Sequence, residues 1–471
     1  MFFVQNLWRD EAFSVVMSGQ SVGNIIQSTA ADFNPPLYYL ILHYWMLIFG
    51  SSEIAIRSLS LLFYTLTIFV IFEMIVLVFK VPFKRAFLYG ALILLNPTLL
   101  YYGFEARMYI MATFFVTLSF FALWTKRKKL YVVAITLALY THYFTVFVLL
   151  AQILSQTNIF ELKISIRQMA YKLIITPVIL LLPWLIYLFT QHDFSSREFW
   201  VLVPPVGDLL YLPLNLYTGY ERIFGQYYHL EVGYADIHTK INLFLIFILT
   251  MPFLLKKLVP KKLRKNTVKL PIFAILLWAF LPPFVLYFIS IFSTPMYHPR
   301  YFMFASVGLI LLLVISFEYW LLELRYFDSK FNLISQILAH KSLKKLHLSF
   351  TPGVLLFAAI FLSLILFTQK YNSLNLKYHS KRNVSGIYYE IQQLKNPKDV
   401  VYLTNELDYF LAKYYLKSEK QIIIFDIPYN KIPAFVGKVL IPPSSITSQI
   451  PNYPQRAFIL HYDWYELRSQ I

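Results

Sequence analysis

Long apolar segments recur along the whole chain, and they constrain its fold more than any other feature. Most of them approach the roughly 20 residues that an α-helix needs to cross a hydrocarbon core of about 30 Å. The runs cover approximately residues 56–79, 86–101, 107–124, 130–140, 143–157, 173–190, 241–255, 270–293, 301–322 and 352–368. The pattern predicts an α-helical polytopic membrane protein with about ten transmembrane helices.

The composition agrees with this class and excludes others. Hydrophobic residues make up 58% of the chain and charged residues only 14%, against roughly 25% charged residues in soluble domains. The net charge of +18 does not indicate a nucleic-acid partner, because the basic residues lie in short clusters between apolar runs, as in cytoplasmic loops. The chain contains no cysteine, which excludes disulfides and thiolate metal sites.

The basic clusters also predict the topology. They lie at residues 80–85, 126–129, 163–172, 256–269 and 325–345. Each cluster follows an odd-numbered crossing if residues 56–79 cross first, from outside to inside, which satisfies the positive-inside rule. The outer segments are then residues 101–106, 141–142, 191–240, 293–300 and the tail after 369.

Three shorter segments need separate interpretation. Residues 37–49 would rise only about 20 Å as a helix, so we expect an interfacial or re-entrant helix on the outer side. Residues 12–29 are weakly amphipathic and predict a helix lying at the interface. For residues 130–157 we favour two short helices meeting at Thr141-His142-Tyr143, with one long tilted helix as the alternative.

The character of the sequence changes near residue 370. We predict a membrane domain over residues 1–369, with a first outer loop at 8–55 and a long outer loop at 191–240. A small extracytoplasmic α/β domain follows over 370–471. Its expected strands are residues 400–403, 421–425 and 457–461, and its expected helices are 387–394 and 406–416.

Two adjacent carboxylates, Asp10 and Glu11, precede this apolar chain in the first outer loop. Acidic side chains favour helix N-termini, so a solvated capping pair is the structural explanation. The functional explanation is a catalytic carboxylate held at the membrane surface.

Several short motifs around these carboxylates occur together and in order. They are Leu7-Trp8-Arg9-Asp10-Glu11-Ala12, Asn34-Pro35-Pro36-Leu37-Tyr38-Tyr39 with His43 and Trp45, residues 50–53 with Arg57, Phe104-Glu105-Ala106-Arg107-Met108-Tyr109, and Thr141-His142-Tyr143. Over residues 7–157 the chain resembles the bacterial branch of glycosyltransferase family 39. This branch includes protein mannosyltransferases and lipid A aminoarabinose transferases with the GT-C membrane fold.

The resemblance implies an inverting sugar transfer from a polyprenyl-phosphate donor at the outer face of the bacterial plasma membrane. It implies that Asp10 is the general base, with Glu11 as its neighbour, and that the acceptor is a protein, lipid or glycan. Relatives often carry His or Lys where this chain has Asn34, so its phosphate binding depends more on arginines. Some GT-C enzymes use a divalent metal, but this sequence offers no clear metal ligands.

Seven further residues are candidates for donor phosphate or substrate binding. They are Arg57, Glu105, Arg107, Tyr109, His142, Arg300 and Tyr301. Arginine suits this role because its guanidinium pairs with two phosphate oxygens at once. Each candidate also has a purely structural interpretation. The arginines could anchor the protein at the membrane interface, Glu105 and Arg107 could form an ion pair that fixes their loop, and His142 could stabilise a turn.

The sequence is also compatible with two other functions. A lipid-linked glycan flippase is disfavoured because such proteins usually carry charges at mid-membrane, and a non-catalytic assembly subunit is the other alternative. Relatives enter the first outer loop from a full transmembrane helix, for which residues 1–6 are too short. We therefore expect that the chain start is truncated.

Overall fold

The computed structural model describes residues 5–156, 168–191, 200–219, 232–255, 271–330, 351–378, 381, 383–418 and 421–471. The basic segments at residues 163–167, 256–269 and 331–345 lie outside these ranges. So do residues 192–199 and 220–231 of the predicted long outer loop. The described part is mostly helical, with one small sheet near the C-terminus.

Sixteen α-helices lie between Arg9 and Tyr378 in the described part of the chain. In order they are α1 (Arg9–Ser18), α2 (Val22–Ala31), α3 (Leu37–Phe49), α4 (Glu53–Glu73), α5 (Phe83–Leu94), α6 (Pro97–Gly103), α7 (Tyr109–Trp124), α8 (Lys128–Thr141), α9 (Val146–Ser155), α10 (Gln168–Gln191), α11 (Gly207–Leu210), α12 (Leu212–Thr218), α13 (Val232–Leu255), α14 (Ile272–Phe292), α15 (Ala305–Lys330) and α16 (Pro352–Tyr378).

Within the described ranges, five helical segments are long and apolar enough to cross a membrane. They are Glu53–Val78, Leu173–Gln191, Ile272–Phe292, Ala305–Leu324 and Pro352–Lys377, and the bent pair α5–α6 would make a sixth. Shorter apolar helices such as Tyr109–Trp124 accompany them. The membrane class is therefore confirmed, while the number of ten crossings stays a prediction.

Two segments that were each expected to form one helix form two helices instead. Residues 12–29 fall in α1 and α2, because the chain leaves the helix at Gly19 and restarts at the Ser21 cap, whose side chain accepts from the Asn24 N–H. Residues 86–101 fall in α5 and α6, which meet at 65°. Asn96 caps the second helix there, and Pro97 occupies its first turn, where a missing N–H costs nothing.

The short helices around residue 142 agree with the sequence. Helix α8 ends at Thr141, His142 is extended, and a 3₁₀ turn at Tyr143–Thr145 leads into α9. The prediction of two helices meeting at this point is confirmed.

Helix α3 is buried at one end and exposed at the other. Tyr38, Tyr39 and Leu42 are buried, whereas the apolar Leu47 and Ile48 near its C-terminal end are exposed. Exposed apolar side chains at one end of a short helix are typical of contact with lipid. Its placement at the interface stays a prediction.

The C-terminal part contains a five-stranded sheet in the order β3-β2-β1-β4-β5. The strands are β1 (Val400–Leu403), β2 (Ile422–Phe425), β3 (Ile446–Thr447), β4 (Ala457–Leu460) and β5 (Tyr465–Arg468), and only the β4–β5 pair is antiparallel. Helices α17 (Ser385–Leu394) and α18 (Tyr409–Leu416) accompany them. The predicted α/β character is confirmed, and so are the three predicted strands, which correspond to β1, β2 and β4. Helix α18 packs against α1.

Candidate active site

Helix α1 brings the two acidic residues into its first turn but directs them into different surroundings. Trp8 is the N-cap, and its N–H donates to Glu11 Oε2 over 3.3 Å. Carboxylates in a first helical turn are stabilised by the unpaired N–H groups there. Only Glu11 therefore caps the helix, and it is buried rather than solvated, unlike the solvated capping pair of the structural explanation.

Glu11 is completely buried in a group of cationic partners. Its Oε1 accepts from Arg57 Nε at 2.9 Å and from the Ala106 N–H at 2.9 Å. Its Oε2 accepts from Arg57 Nη2 and from Lys381 Nζ, both at 2.7 Å. Burial alone would raise the pKa of Glu11, but Lys381 and Arg57 together lower it to about 2. Glu11 is therefore a charged anchor that joins three segments distant in sequence.

Asp10 faces outward and is paired with a single arginine. Its side chain is 37% exposed, and its Oδ2 lies 3.1 Å from Arg300 Nη1. The Asp10 backbone carbonyl accepts from Arg107 Nη1 over 3.2 Å. Of the two adjacent carboxylates, Asp10 is the one that a molecule from solution can reach.

Arg300 lies in a 3₁₀ turn at Pro299–Phe302, directly before α15. Its guanidinium carbon is 5.4 Å from the Trp8 ring centre and 5.0 Å from that of Trp200, and its side chain is only 6% exposed. Stacking on aromatic faces holds a guanidinium in one orientation. The arginine is thus fixed beside Asp10, with the aromatic rings limiting its contact with water.

The Glu105–Arg107 segment forms another wall of the site, but the two side chains are not paired with each other. Arg107 Nη1 donates to Ser14 Oγ over 3.2 Å, while its Nε has no partner among the described residues. Both carboxyl oxygens of Glu105 are likewise buried without a partner in that part of the chain. The pKa of Arg107 is raised despite its burial, largely by Tyr39 and Tyr109, so the site contains a permanent second cation.

The Glu105 carboxyl group has a raised pKa because no hydrogen-bond partner among the described residues compensates its burial. Desolvation, the largest effect, raises its pKa to about 7 against the attraction of Lys381. A carboxyl group whose pKa is raised in the folded state stabilises the fold below its ordinary pKa of 4.5, and this contribution is lost as the pH rises through 7.

The Glu105→Gln variant should therefore lose less stability than the wild type between pH 4.5 and pH 8. Glutamine stays neutral, so no charge must be buried at the higher pH. Thermal unfolding of the detergent-solubilised protein across this pH range measures the effect, with the exposed Asp463→Asn as the control. Parallel curves for wild type and Glu105→Gln would contradict the assignment.

Aromatic and imidazole rings fill the space behind the two arginines. His142 lies 5.9 Å from Tyr109 and 6.0 Å from Tyr301, measured between ring centres. Burial, together with Arg107, lowers the pKa of His142 to about 3. His142 is therefore neutral at physiological pH and contributes ring packing rather than charge.

Asn34 is directed toward its own loop. Its amide nitrogen donates to Asp32 Oδ2 over 2.6 Å, and burial raises the pKa of Asp32 to about 7. The predicted site residues thus form three groups. Arg107 and Arg300 contact Asp10, while Glu11 pairs with Arg57 in a buried group. The others, Glu105, Tyr109, His142, Tyr301 and Asn34, lie around them.

Two members of the site were missed by sequence reasoning. Lys381 follows α16, far from every motif, and no local signal marks it. Trp200 lies in the segment predicted to be the long outer loop, and its aromatic character and that predicted location were the only available signals. In the described ranges, no three His, Asp or Glu side chains are grouped as a metal site requires.

Comparison with known proteins supports the fold. No family model matches the chain, and no curated protein matches it in sequence. Crystal structures of ArnT from Cupriavidus metallidurans resemble it along nearly its whole length. The apo state has a TM-score of 0.57 at 13% identity, over 97% of this chain and 90% of that one. The structure bound to undecaprenyl phosphate has a TM-score of 0.56 at 14% identity, with the same coverage.

This likeness confirms the predicted fold: a helical GT-C-type membrane protein with a small C-terminal α/β domain. At such low identity, it concerns the fold alone.

Proposed function

We propose that the chain is a membrane glycosyltransferase that takes a sugar from a polyprenyl-phosphate donor at the outer face of the cell membrane. The observation that carries the proposal is the outward-facing Asp10 beside Arg300, 3.1 Å away, in a fold shared with ArnT. An ArnT structure bound to undecaprenyl phosphate supports a lipid phosphate as the ligand class. The proposed acceptor is a protein, lipid or glycan that reaches Asp10 from outside.

The reaction needs a base for the acceptor, and Asp10 is suited to it. As the acceptor hydroxyl attacks the anomeric carbon, its proton passes to the Asp10 carboxylate. The bond from that carbon to the phosphate oxygen breaks, and polyprenyl phosphate leaves with the bond electrons. Direct displacement by the acceptor inverts the anomeric configuration.

The leaving phosphate needs positive charge, which Arg300 and Arg107 supply. Both guanidinium groups are largely buried, where an electrostatic interaction with phosphate is stronger than in water. Arg300 also donates to the Asp10 carboxylate. A phosphate competing for that guanidinium would weaken the Asp10–Arg300 pair and make the carboxylate a better base when the donor is bound.

The roles of the remaining predicted residues follow from their surroundings. Glu11 and Arg57 support the loop that carries Asp10, because both are buried in the ion group. Tyr109, His142 and Tyr301 line the region behind the arginines. Glu105 adds a carboxyl group whose partner would come from the substrate. Because Asn34 carries no charge, Arg107 and Arg300 supply the positive charge that binds the donor phosphate.

The Arg300→Ala variant tests the phosphate assignment. Hydrogen bonds to charged groups contribute about 1.5–3 kcal/mol, so we expect kcat/KM for the donor to fall by roughly 10- to 100-fold. Arg300→Lys should recover only part of the loss, because an ammonium lacks the planar guanidinium fork. The assay uses radiolabelled undecaprenyl-phosphate pentoses and hexoses, with native membranes as the acceptor source.

The matched control is Arg468→Ala, which removes an exposed arginine from β5. It should keep wild-type kcat/KM. An Arg300→Ala enzyme with the same donor kcat/KM as this control would refute the phosphate role of Arg300.

A further inference from the structure

The residues on both sides of Asp10 are fastened to the C-terminal part of the chain. The Leu7 N–H donates to Tyr415 Oη over 2.9 Å. Arg9 Nε lies 3.7 Å from Asp408 Oδ1, and Glu11 Oε2 accepts from Lys381 Nζ at 2.7 Å. The segment that carries Asp10 is therefore held by groups from residues 381–415, over 360 positions away.

Apolar packing continues the same contact along α1. The Phe13 ring meets the Phe410 ring edge-to-face, with centres 5.2 Å apart. Gly437 lies against Phe13 with a φ of +82°, and a Cβ atom placed there would lie 2.5 Å from Phe13 Cε2. Only glycine fits this position without displacing the ring. Helix α1 is thus packed closely against the C-terminal domain.

The Asp10 side chain is bonded to a part of the chain outside the C-terminal domain. It accepts a hydrogen bond from Arg300, which directly precedes α15. Its distance to that arginine depends on where the first turn of α1 lies. Lys381 can control that position, because Glu11 is the next residue in the same helical turn. The Lys381 side chain is only 8% exposed, so its ion pair with Glu11 is shielded from competing water.

We propose that Lys381 is a positioning residue for Asp10, and that the C-terminal domain thereby forms part of the active site. The proposal rests on the proposed function, because it takes Asp10 as the base. Lys381 does not touch the reacting atoms. It fixes Glu11, and through the first turn of α1 it sets the distance between the Asp10 carboxylate and Arg300.

Removal of Lys381 should lower the rate without unfolding the protein, because Arg57 still neutralises Glu11. A misplacement of about 1 Å can cost on the order of 10²-fold in rate, so Lys381→Met should lower kcat by up to that factor. KM for the donor should change little, since Arg300 and Arg107 remain. Lys381→Arg keeps the cation and should restore most of kcat, while the exposed Lys398→Met is the matched control.

A double-mutant cycle with Asp10→Asn separates positioning from general destabilisation. If Lys381 acts through Asp10, Lys381→Met should cost little more in the Asp10→Asn background, so that the two losses are strongly non-additive. Additive losses, or a kcat for Lys381→Met equal to that of Lys398→Met, would overturn the proposal. A normal rate in Asp10→Asn would instead refute the proposed function, which distinguishes the two failures.

A cross-linking measurement gives a readout that does not depend on activity. The chain contains no cysteine, so Arg9→Cys with Asp408→Cys introduces the only two thiols. A short cross-linker that reacts with two thiols, and so replaces the long Arg9 side chain between the two positions, should join them several-fold more slowly with Lys381→Met than when Lys381 is present. Equal cross-linking rates in both backgrounds would show that Lys381 does not hold α1 and would overturn the proposal.

Discussion

The Asp10→Asn variant should lose sugar transfer by a factor of about 10²–10⁴ in kcat, the usual contribution of a general base. Asparagine has nearly the same shape and can still accept a hydrogen bond from Arg300, so the helix start and the donor site should remain intact. It cannot take a proton from the acceptor. KM for the donor should therefore stay near the wild-type value, which initial rates at varied donor concentration will measure.

The exposed Asp463→Asn variant is the control for Asp10→Asn and should transfer sugar at the wild-type rate. Asp10→Glu keeps a carboxylate but places it farther from the backbone. Its kcat should therefore lie between those of Asp10→Asn and Asp463→Asn. A wild-type kcat for Asp10→Asn would show that Asp10 is not the general base.

The second large effect concerns the fold. Glu11→Gln leaves the Arg57 guanidinium and the Lys381 ammonium buried together without their carboxylate. Breaking a buried ion pair in this way costs about 3–5 kcal/mol. Because the pKa of Glu11 is lowered from 4.5 to about 2, its stabilisation is present above pH 4.5 and is lost as the pH falls toward 2. Glu11→Gln should thus be destabilised most clearly at neutral pH.

Unfolding in mixed micelles at pH 7 measures this loss against Glu466→Gln. Glu466 pairs with Arg468 at the surface, where side-chain exposures are 30% and 53%, and such pairs contribute about 0–1 kcal/mol. Equal stability of the two variants would contradict the role of Glu11 as a buried anchor.

The long apolar segments of the sequence predicted much of the fold, because the membrane restricts which segments can cross it. A crossing helix must be long and apolar, so spans such as Glu53–Val78 and Ile272–Phe292 were visible directly. The strands of the C-terminal sheet were visible as short β-branched runs such as Val400–Leu403. Breaks were harder to predict, because the cap at Ser21 and the bend before Pro97 depend on single residues.

Most members of the candidate site could be named from the sequence, but Lys381, Trp200 and the geometry of the site could not. Asp10 and Glu11 are adjacent in sequence and chemically alike, and only their tertiary partners distinguish them. Lys381, which pairs with Glu11, is 370 positions away from it, and no periodicity or motif links such residues. Burial of Glu105 without a partner is likewise a property of packing that the local sequence does not encode.

The most direct test of the account is transfer by the purified protein in liposomes that contain a doubly labelled undecaprenyl-phosphate sugar. We expect the sugar label to pass to the acceptor with inverted anomeric configuration, while one undecaprenyl phosphate is released for each sugar. Movement of the intact donor between leaflets, with both labels still joined, would contradict it and indicate a flippase.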